Sequence, residues 1–200
     1  FELRIDAQRV ASTASNVVAQ RGQGASQKIV VTAHIDADED SPGAVDNASG
    51  PVVLLLLAEM LSEYDGEPTI EIVALNGEDH YSAGGEMDYL RRYGEALDRV
   101  LLAVNVDAVG YRQGRTVYSL YECCPSIANM ARGALEGVEG LLGGEAWFSG
   151  DHMVFVQAGV PAVAFTAELV SELTRTVTHT SLDTPELIDG GKLVEVARGL

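Results

Sequence analysis

The chain has 200 residues, of which 46% are hydrophobic, and a formal charge of −17 from 13 Lys and Arg against 30 Asp and Glu. This length and composition predict a single domain over residues 1–200 with a sizeable core. The acidic balance excludes a nucleic-acid partner, because phosphate binding requires clusters of Lys and Arg. A membrane span is also excluded, since the longest apolar run covers only residues 51–58, whereas a bilayer requires roughly 20 residues.

Short apolar runs alternate with longer runs of helical pattern along the chain. In chain order, the pattern predicts strands at 17–19 and 28–32, a helix at 51–64, a strand at 69–75, a helix at 82–92, strands at 99–106 and 115–121, helices at 125–135 and 150–157, a strand at 161–165 and a helix at 190–200. This alternation predicts an α/β fold, a three-layer α/β/α sandwich around a central mixed, mostly parallel sheet. The glycine-containing segment GQGASQ at residues 22–27 favours a hairpin turn between the first two strands.

The two cysteines, Cys123 and Cys124, are adjacent. A disulfide between neighbours would strain the peptide that joins them, so we expect reduced thiols. Two cysteines also cannot supply a thiolate zinc cluster. Any metal site must therefore use imidazole and carboxylate ligands.

Acidic and imidazole side chains gather where the predicted strands end. His34 and Asp36 follow one strand, Glu78 and Asp79 follow the next, and Asp107 follows a third. In open α/β sheets the functional residues collect at the carboxyl ends of the strands. We therefore expect these groups to converge at one edge of the sheet.

Each of these motifs by itself also suits an ordinary structural role. In an extended segment His34 and Asp36 point to the same side, so the carboxylate can orient the ring for a metal, but the pair also suits a surface strand end. Asp46 lies between Gly43 and Gly50, which allow a tight loop, but it also suits a helix-capping turn.

The remaining acids and a second histidine complete a set of side chains that together could bind metal ions. Glu78 and Asp79 are adjacent and repel each other unless a cation lies beside them, although a surface pair is an equal alternative. Asp107 follows an apolar strand, where a buried unpaired carboxylate is costly. His179 adds a second imidazole. Two imidazoles and three carboxylates could hold two divalent ions about 3.5–4 Å apart, and this ligand chemistry favours zinc, with Co²⁺ or Mn²⁺ as substitutes.

Six segments in order resemble the M28 family of zinc aminopeptidases. They are AHID at 33–36, PGAVDNASG at 42–50, NGED at 76–79, NVDAVG at 105–110, SGDHMVFVQAGVPA at 149–162 and HTSLDT at 179–184. The resemblance implies a zinc-exopeptidase fold and two Zn²⁺ ions. Because the chain begins with Phe1 and lacks a counterpart of the family's first strands, we expect it to be N-terminally truncated.

The resemblance also implies a role for each residue. His34 and Asp107 would bind one zinc, Asp79 and His179 the other, and Asp46 would bridge them. The catalytic positions would be those of Glu78, the general base, and Asp36, the partner that orients His34.

Two positions depart from the family pattern. Asp79 stands where the family often has glutamate, so we expect a shifted or weakened second metal site. Thr178 stands where some relatives have a tyrosine that helps to hold the tetrahedral intermediate, so another group must stabilise the oxyanion.

The function implied is hydrolysis of the N-terminal peptide bond of peptides with a free N-terminus, through a zinc-activated bridging water. Three alternatives stay open: a glutaminyl-cyclase-like acyltransferase that uses one zinc, a carboxypeptidase of the same fold, and a non-catalytic binding ectodomain of the transferrin-receptor type. The sequence leaves the preferred N-terminal residue, the oligomeric state and the compartment (secreted, periplasmic or cytoplasmic) open.

For further residues near these motifs we expect ordinary structural roles. His80 is adjacent to the acidic pair and should point away from a metal. Asp151 and His152 should cap a helix and order its loop, with contact to the substrate as the second interpretation. Trp147 and Phe148, with Phe155 and Cys123, suit either an apolar pocket or core packing.

The first prediction concerns His34 as a ligand. His34→Ala should lower the zinc content of the purified protein, because an imidazole ligand is lost, and elemental analysis after dialysis measures this. His80→Ala is the matched control and should keep the wild-type content. Full zinc occupancy in His34→Ala would contradict the assignment.

Overall fold

The strands come from the apolar, β-branched runs. The structure is a computed structural model that describes residues 3–6, 11, 13–24, 26–80 and 83–200. Within these residues, seven strands form one mixed sheet. Numbered β1 to β7, they are Val17–Arg21, Lys28–His34, Thr69–Leu75, Val100–Val106, Thr116–Tyr121, Leu141–Gly143 and Ala162–Ala167.

The sheet has parallel strands in its centre and antiparallel strands towards its edges. Its order is β1-β3-β2-β4-β7-β5-β6. The central strands β3, β2, β4 and β7 run parallel to one another. Strand β1 pairs antiparallel with β3, and β5 pairs antiparallel with β7. This arrangement confirms the predicted mixed, mostly parallel sheet.

The predicted hairpin between the first two strands is wrong. Strand β1 pairs with β3 rather than with β2, so β1 and β2 lie on opposite sides of β3. The reason is burial: most of β2 is buried, which suits the interior of a sheet, whereas β1 is mostly exposed and suits an edge. Of the predicted turn at 22–27, position 25 lies outside the described residues.

Six α-helices are present in the described part of the chain. Numbered α1 to α6, they are Ser49–Met60, Gly84–Tyr93, Pro125–Leu135, His152–Gln157, Val170–Thr176 and Gly190–Gly199. The prediction for α3 is confirmed, with Pro125 in its first turn. Position 82, where the second helix was predicted to begin, lies outside the described residues.

Helix α1 is shorter than predicted, and two elements were missed. It ends at Met60 rather than at residue 64, and the hydroxyl of Tyr64 donates to the carbonyl of Pro68 at 2.8 Å. The short strand β6 and helix α5 were not predicted from the sequence. Helix α5 has only one buried residue, Leu173, so its apolar pattern is too weak to signal a helix.

Helices cover both faces of the sheet and complete the three-layer sandwich. Helices α1, α3 and α6 pack on one face, in a core that includes Val31, Phe165 and Val196. Helices α2 and α4 pack on the other face, in a core that includes Val30 and Phe155. Successive residues of β2 thus enter opposite cores, as the alternation of a strand requires.

Two further expectations can be compared with the fold. Cys123 and Cys124 are both free thiols, as expected. Among the helices of the described residues, none combines the length and apolarity that crossing a bilayer requires.

The second prediction concerns the core. Phe165 is 0% exposed, so Phe165→Ala should lower the free energy of unfolding by about 3–5 kcal/mol, through lost burial and the cavity left behind. Phe148 is 74% exposed, and the matched control Phe148→Ala should change it by about 0.5 kcal/mol or less. Urea unfolding of the metal-free proteins measures both. Equal effects would contradict the assignment of Phe165 to the core.

Candidate metal centre

The parallel centre of the sheet brings three site segments to one edge. His34 is the last residue of β2 and pairs with Leu75, the last residue of β3. Asp107 directly follows β4, and its N–H donates to the carbonyl of Phe165 in β7 at 3.0 Å. Glu78 and Asp79 lie in the turn after β3. The predicted convergence at the carboxyl ends of the strands is therefore observed.

Asp46 is delivered by an irregular helical turn, Ala44–Ala48, which leads into α1. Gly43 precedes it with φ of 62°, and a Cβ there would lie 2.4 Å from the Cβ of Ala37, so the tight turn requires glycine. The Asp46–Asn47 peptide is cis. The buried Asn47 side chain donates to the carbonyl of Val106 at 3.0 Å and thereby ties this turn to the end of β4.

The carboxylate of Asp46 lies between the two imidazoles. Its Oδ1 is 3.2 Å from Nε2 of His34, and its Oδ2 is 3.5 Å from Nε2 of His179. On the first side, Nε2 of His34 is also 3.5 Å from Oδ1 of Asp107. On the second side, Nε2 of His179 is 2.8 Å from Oδ1 of Asp79. The site thus has two halves, each with one imidazole and one carboxylate, and Asp46 is shared between them.

The residues of this site fit divalent cations. Nε2 of His34 and Oδ2 of Asp79 are buried and have no hydrogen-bond partner among the described residues. Ligand atoms of His34, Asp46 and Asp79 all lie within 4.8 Å of one another. Buried polar atoms without partners are costly, and nitrogen and oxygen ligands without thiolate suit zinc as well as manganese or cobalt.

The electrostatics of the site reflect closely spaced carboxylates. Burial disfavours the charged form of His34, but the carboxylates of Asp107 and Asp46 outweigh it and raise the pKa of the imidazole. Burial, with the charge of Asp46, raises the pKa of Asp79. Burial and then the charge of Asp107 raise the pKa of Glu78 to about 7. A carboxyl group with this pKa can both accept and release a proton near neutral pH.

Asp36 has a different contact with His34 from the one predicted. Its Oδ1 accepts the N–H of Gly77 at 2.7 Å and its Oδ2 accepts the N–H of Asp79 at 3.1 Å. Nδ1 of His34 is 3.2 Å from the main-chain carbonyl of Asp36 but 3.8 Å from its Oδ1. The carbonyl replaces the carboxylate as the acceptor for the ring, because the carboxylate is occupied by the turn that carries Glu78 and Asp79.

The residues that were weighed and set aside are also placed. The side chain of His80 is 61% exposed, and its Nδ1 lies 3.1 Å from Oδ2 of Asp36, outside the set around Asp46. Asp151 stands at the N-cap of α4 but its side chain makes no capping bond, so the capping prediction is wrong. Its carboxylate is buried, and burial raises its pKa well above the usual range. His152 does order the loop, since its Nε2 lies 3.0 Å from the carbonyl of Trp147.

The aromatic residues in α4 and in the loop before it divide between core and surface. Phe155 is 1% exposed and packs in the core, whereas Phe148 is largely exposed. Trp147 is half-buried, and its ring centroid is 4.5 Å from that of His152. A Cβ at Gly150 would lie 3.0 Å from the Trp147 ring and 3.3 Å from Oδ2 of Asp107, so this loop passes directly beside the metal centre.

Two residues that support the site received no role from the sequence. Asn47 ties the Asp46 turn to β4, and Asp183 is 0% exposed and accepts the N–H groups of Val45 and Asp46. The sequence could have indicated them only through their positions. Asn47 adjoins Asp46 in a loop flanked by glycines, and Asp183 follows His179 by four residues. Their hydrogen-bond partners lie far away in the sequence and could not be read from it.

Imidazole and carboxylate groups at the carboxyl ends of parallel strands in a mixed α/β sheet are the arrangement expected of the class of metal-dependent hydrolases. The sequence model for Peptidase family M28 matches residues 16–200. The chain therefore belongs to Peptidase family M28, which confirms the resemblance found in the sequence.

Individual relatives agree with this assignment. The chain is 37% identical over 76 residues to a probable zinc metalloprotease of Pyrenophora tritici-repentis, and the match covers 38% of this chain and 17% of that protein. The fold is similar to that of an aminopeptidase from Aneurinibacillus sp. strain AM-1, with a TM-score of 0.78 and 26% identity over 92% of this chain and 45% of that one. It is also similar to BSAP, a zinc aminopeptidase from Bacillus subtilis, with a TM-score of 0.77 and 25% identity over 92% of this chain and 47% of that one. The chain thus spans less than half the length of each of these proteins.

The third prediction follows from the raised pKa of Glu78. Between its ordinary pKa of 4.5 and about 7, Glu78 binds more protons in the folded than in the unfolded state, so its contribution to stability is lost as the pH rises through this range. The metal-free protein should therefore lose stability from pH 5 to pH 8, and Glu78→Gln should reduce this loss by on the order of 2 kcal/mol. Urea unfolding at both pH values measures the difference.

The control for this experiment is Glu186→Gln. Glu186 is exposed and a hydrogen bond from Thr184 lowers its pKa, so it is mostly ionised in both states between pH 5 and pH 8 and changes the pH dependence little. Its variant should show the same loss as the wild type. An undiminished loss in Glu78→Gln would contradict the raised pKa.

Proposed function

We propose that the protein is a dizinc aminopeptidase that hydrolyses the N-terminal peptide bond of peptides with a free N-terminus. The observation that carries the proposal is the shared carboxylate of Asp46, with its two oxygens 3.2 Å and 3.5 Å from two different imidazoles. Sites with two metal ions a few ångströms apart are typical of aminopeptidases. The similarity to solved structures of aminopeptidases supports the same choice.

The ligand assignment follows the two halves of the site. His34 and Asp107 would hold one ion, Asp79 and His179 the other, and Asp46 both. When bound, two divalent ions polarise a carbonyl group and increase the acidity of water. The ions would also offset the mutual repulsion of the carboxylates.

Glu78 is the proposed general base. It lies in the same turn as Asp79 and is only half-buried, so it can reach a substrate. In the hydrolysis it would accept a proton from the attacking water and deliver it to the nitrogen of the leaving amine. Asp36 would keep the turn in place, because its carboxylate accepts the N–H groups of Gly77 and Asp79.

The charge of the protein suits a substrate with a positive N-terminus. The formal charge of −17 creates a negative potential that attracts an α-ammonium group towards the molecule. At the site, Glu78 and the carboxylates around it would then lie close to that group. A blocked N-terminus lacks this attraction and should be a poor substrate.

The fourth prediction tests the proposed activity. The zinc-loaded protein should hydrolyse aminoacyl-p-nitroanilides, lose this activity with a chelator, and contain two zinc ions per chain by elemental analysis. N-acetylated substrates should remain uncleaved. Glu78→Gln should keep its zinc and lose about 100- to 10,000-fold in kcat, because the general base is removed.

Other outcomes would favour the alternatives. Zinc binding without chelator-sensitive release of p-nitroaniline would contradict the proposal. Cyclisation of an N-terminal glutaminyl peptide would then indicate an acyltransferase, and release of a C-terminal residue a carboxypeptidase. Turnover retained in Glu78→Gln would contradict the role of this residue alone.

A further inference from the structure

We propose that Asp183 is a positioning residue that holds the shared carboxylate Asp46 and the loop of His179 together as one unit. The inference rests on the proposed two-ion function, because it concerns the residue on which both halves of the metal centre depend. Asp183 is the acid of the HTSLDT segment. In the proposed function it neither binds a metal nor contacts a substrate, and the present inference gives it a role.

The first support is the bidentate contact of the Asp183 carboxylate. Oδ1 accepts the N–H of Val45 at 2.7 Å, and Oδ2 accepts the N–H of Asp46 at 3.0 Å. The main-chain carbonyl of Asp183 accepts the N–H of Ala44 at 3.2 Å. Three successive N–H groups of the Asp46 turn are therefore held by one residue.

The second support is the short path from Asp183 to His179. The N–H of Asp183 donates to the carbonyl of Thr180 at 3.2 Å, and the N–H of Leu182 donates to the hydroxyl of Thr180 at 3.2 Å. His179 itself has φ of 59°, a conformation that a non-glycine residue holds only when its surroundings enforce it. The loop is thus a fixed turn, and its anchor on the Asp46 turn sets the 3.5 Å separation between Oδ2 of Asp46 and Nε2 of His179.

The third support is the burial of Asp183, whose side chain is 0% exposed. Water cannot replace its contacts, so a lost acceptor leaves a buried N–H without a partner. An asparagine has the same shape but only one acceptor oxygen, and its NH₂ group would face one of the two N–H donors. Asp183→Asn should therefore loosen the Asp46 turn without emptying the space.

The experiment compares Asp183→Asn with Asp189→Asn. Asp189 also accepts a main-chain N–H through its carboxylate, from Gly191 at 2.9 Å, but it is exposed and caps α6. Both variants thus exchange a carboxylate for an amide at an N–H donor. Zinc affinity by competition with a chromogenic chelator, kcat and KM for an aminoacyl-p-nitroanilide, and thermal unfolding of the metal-free form are measured for each.

Asp183→Asn should bind two zinc ions only at higher free zinc, with an affinity about 10- to 100-fold lower than that of the wild type, as is usual when a residue that supports metal ligands is changed. Its kcat should fall at saturating zinc while KM stays near the wild-type value. Asp189→Asn should match the wild type in zinc affinity and kcat. Wild-type affinity and kcat in Asp183→Asn, even with a lower Tm, would overturn the inference, since the role would then be structural only.

A second measurement covers the case in which Asp183→Asn does not fold. In the metal-free wild type, the amide protons of Val45 and Asp46 should exchange slowly with solvent, because buried carboxylate oxygens hold them. The reference is the amide of Asp40, which donates to the carboxylate of Asp38 at 3.0 Å in an exposed loop. Exchange of Val45 and Asp46 as fast as that of Asp40 would overturn the inference.

The result also separates this inference from the proposed function. If the wild type binds zinc but hydrolyses no peptide substrate, the proposed activity fails while weaker zinc binding in Asp183→Asn still supports the positioning role. If the wild type is active and Asp183→Asn equals it, the positioning role fails and the activity stands.

Discussion

Repulsion between carboxylates at the carboxyl ends of the central strands is the constraint on which the rest of this site depends. Asp46, Asp79 and Asp107 approach two imidazoles, and burial together with the neighbouring charges raises the pKa of Glu78 to about 7. Such a group of acids is stable only if cations or donors offset its charge. The buried atoms of His34 and Asp79 that have no hydrogen-bond partner among the described residues fit a cation in this position. The same residues therefore bear on both the stability of the site and its proposed chemistry.

The fold positions the acids and imidazoles of the site in two ways. Parallel strands deliver His34 and Asp107 at their ends, where main-chain hydrogen bonds to Leu75 and Phe165 in the neighbouring strands fix the backbone up to the residue itself. Asp46 and His179 come from loops, and loops need support from elsewhere. Asn47 donates a hydrogen bond to Val106 and so ties the Asp46 turn to β4, and the carboxylate of Asp183 accepts the N–H groups of Val45 and Asp46 and so ties the two loops together. The loop-borne residues are therefore the ones whose geometry is most sensitive to changes outside the site.

The sequence allowed prediction of those features that depend on local pattern. The three-layer sandwich followed from the alternation of apolar runs, and the convergence of His34, Glu78 and Asp107 followed from their positions after strands. Three features could not be predicted in this way. They are the pairing of β1 with β3 instead of β2, the short helix α5, and the main-chain carbonyl of Asp36 that lies next to the His34 ring. Tertiary contacts decide each of them, and no local pattern encodes such contacts. Burial within the sheet decides the strand pairing, a single buried leucine holds α5, and the N–H groups of Gly77 and Asp79 occupy the carboxylate of Asp36.

The shorter acid at position 79 illustrates how support can offset a change in a ligand. Aspartate reaches one methylene less far than the glutamate often found there, so the sequence favours a shifted or weakened second ion. In the structure, Asp36 accepts the N–H of Asp79 and holds its backbone, while Oδ1 of Asp79 lies 2.8 Å from Nε2 of His179. The backbone position and the opposing imidazole thus bring the shorter side chain within reach of its partner. The contact between Asp79 and His179 therefore depends on the backbone position that Asp36 fixes as much as on the length of the Asp79 side chain.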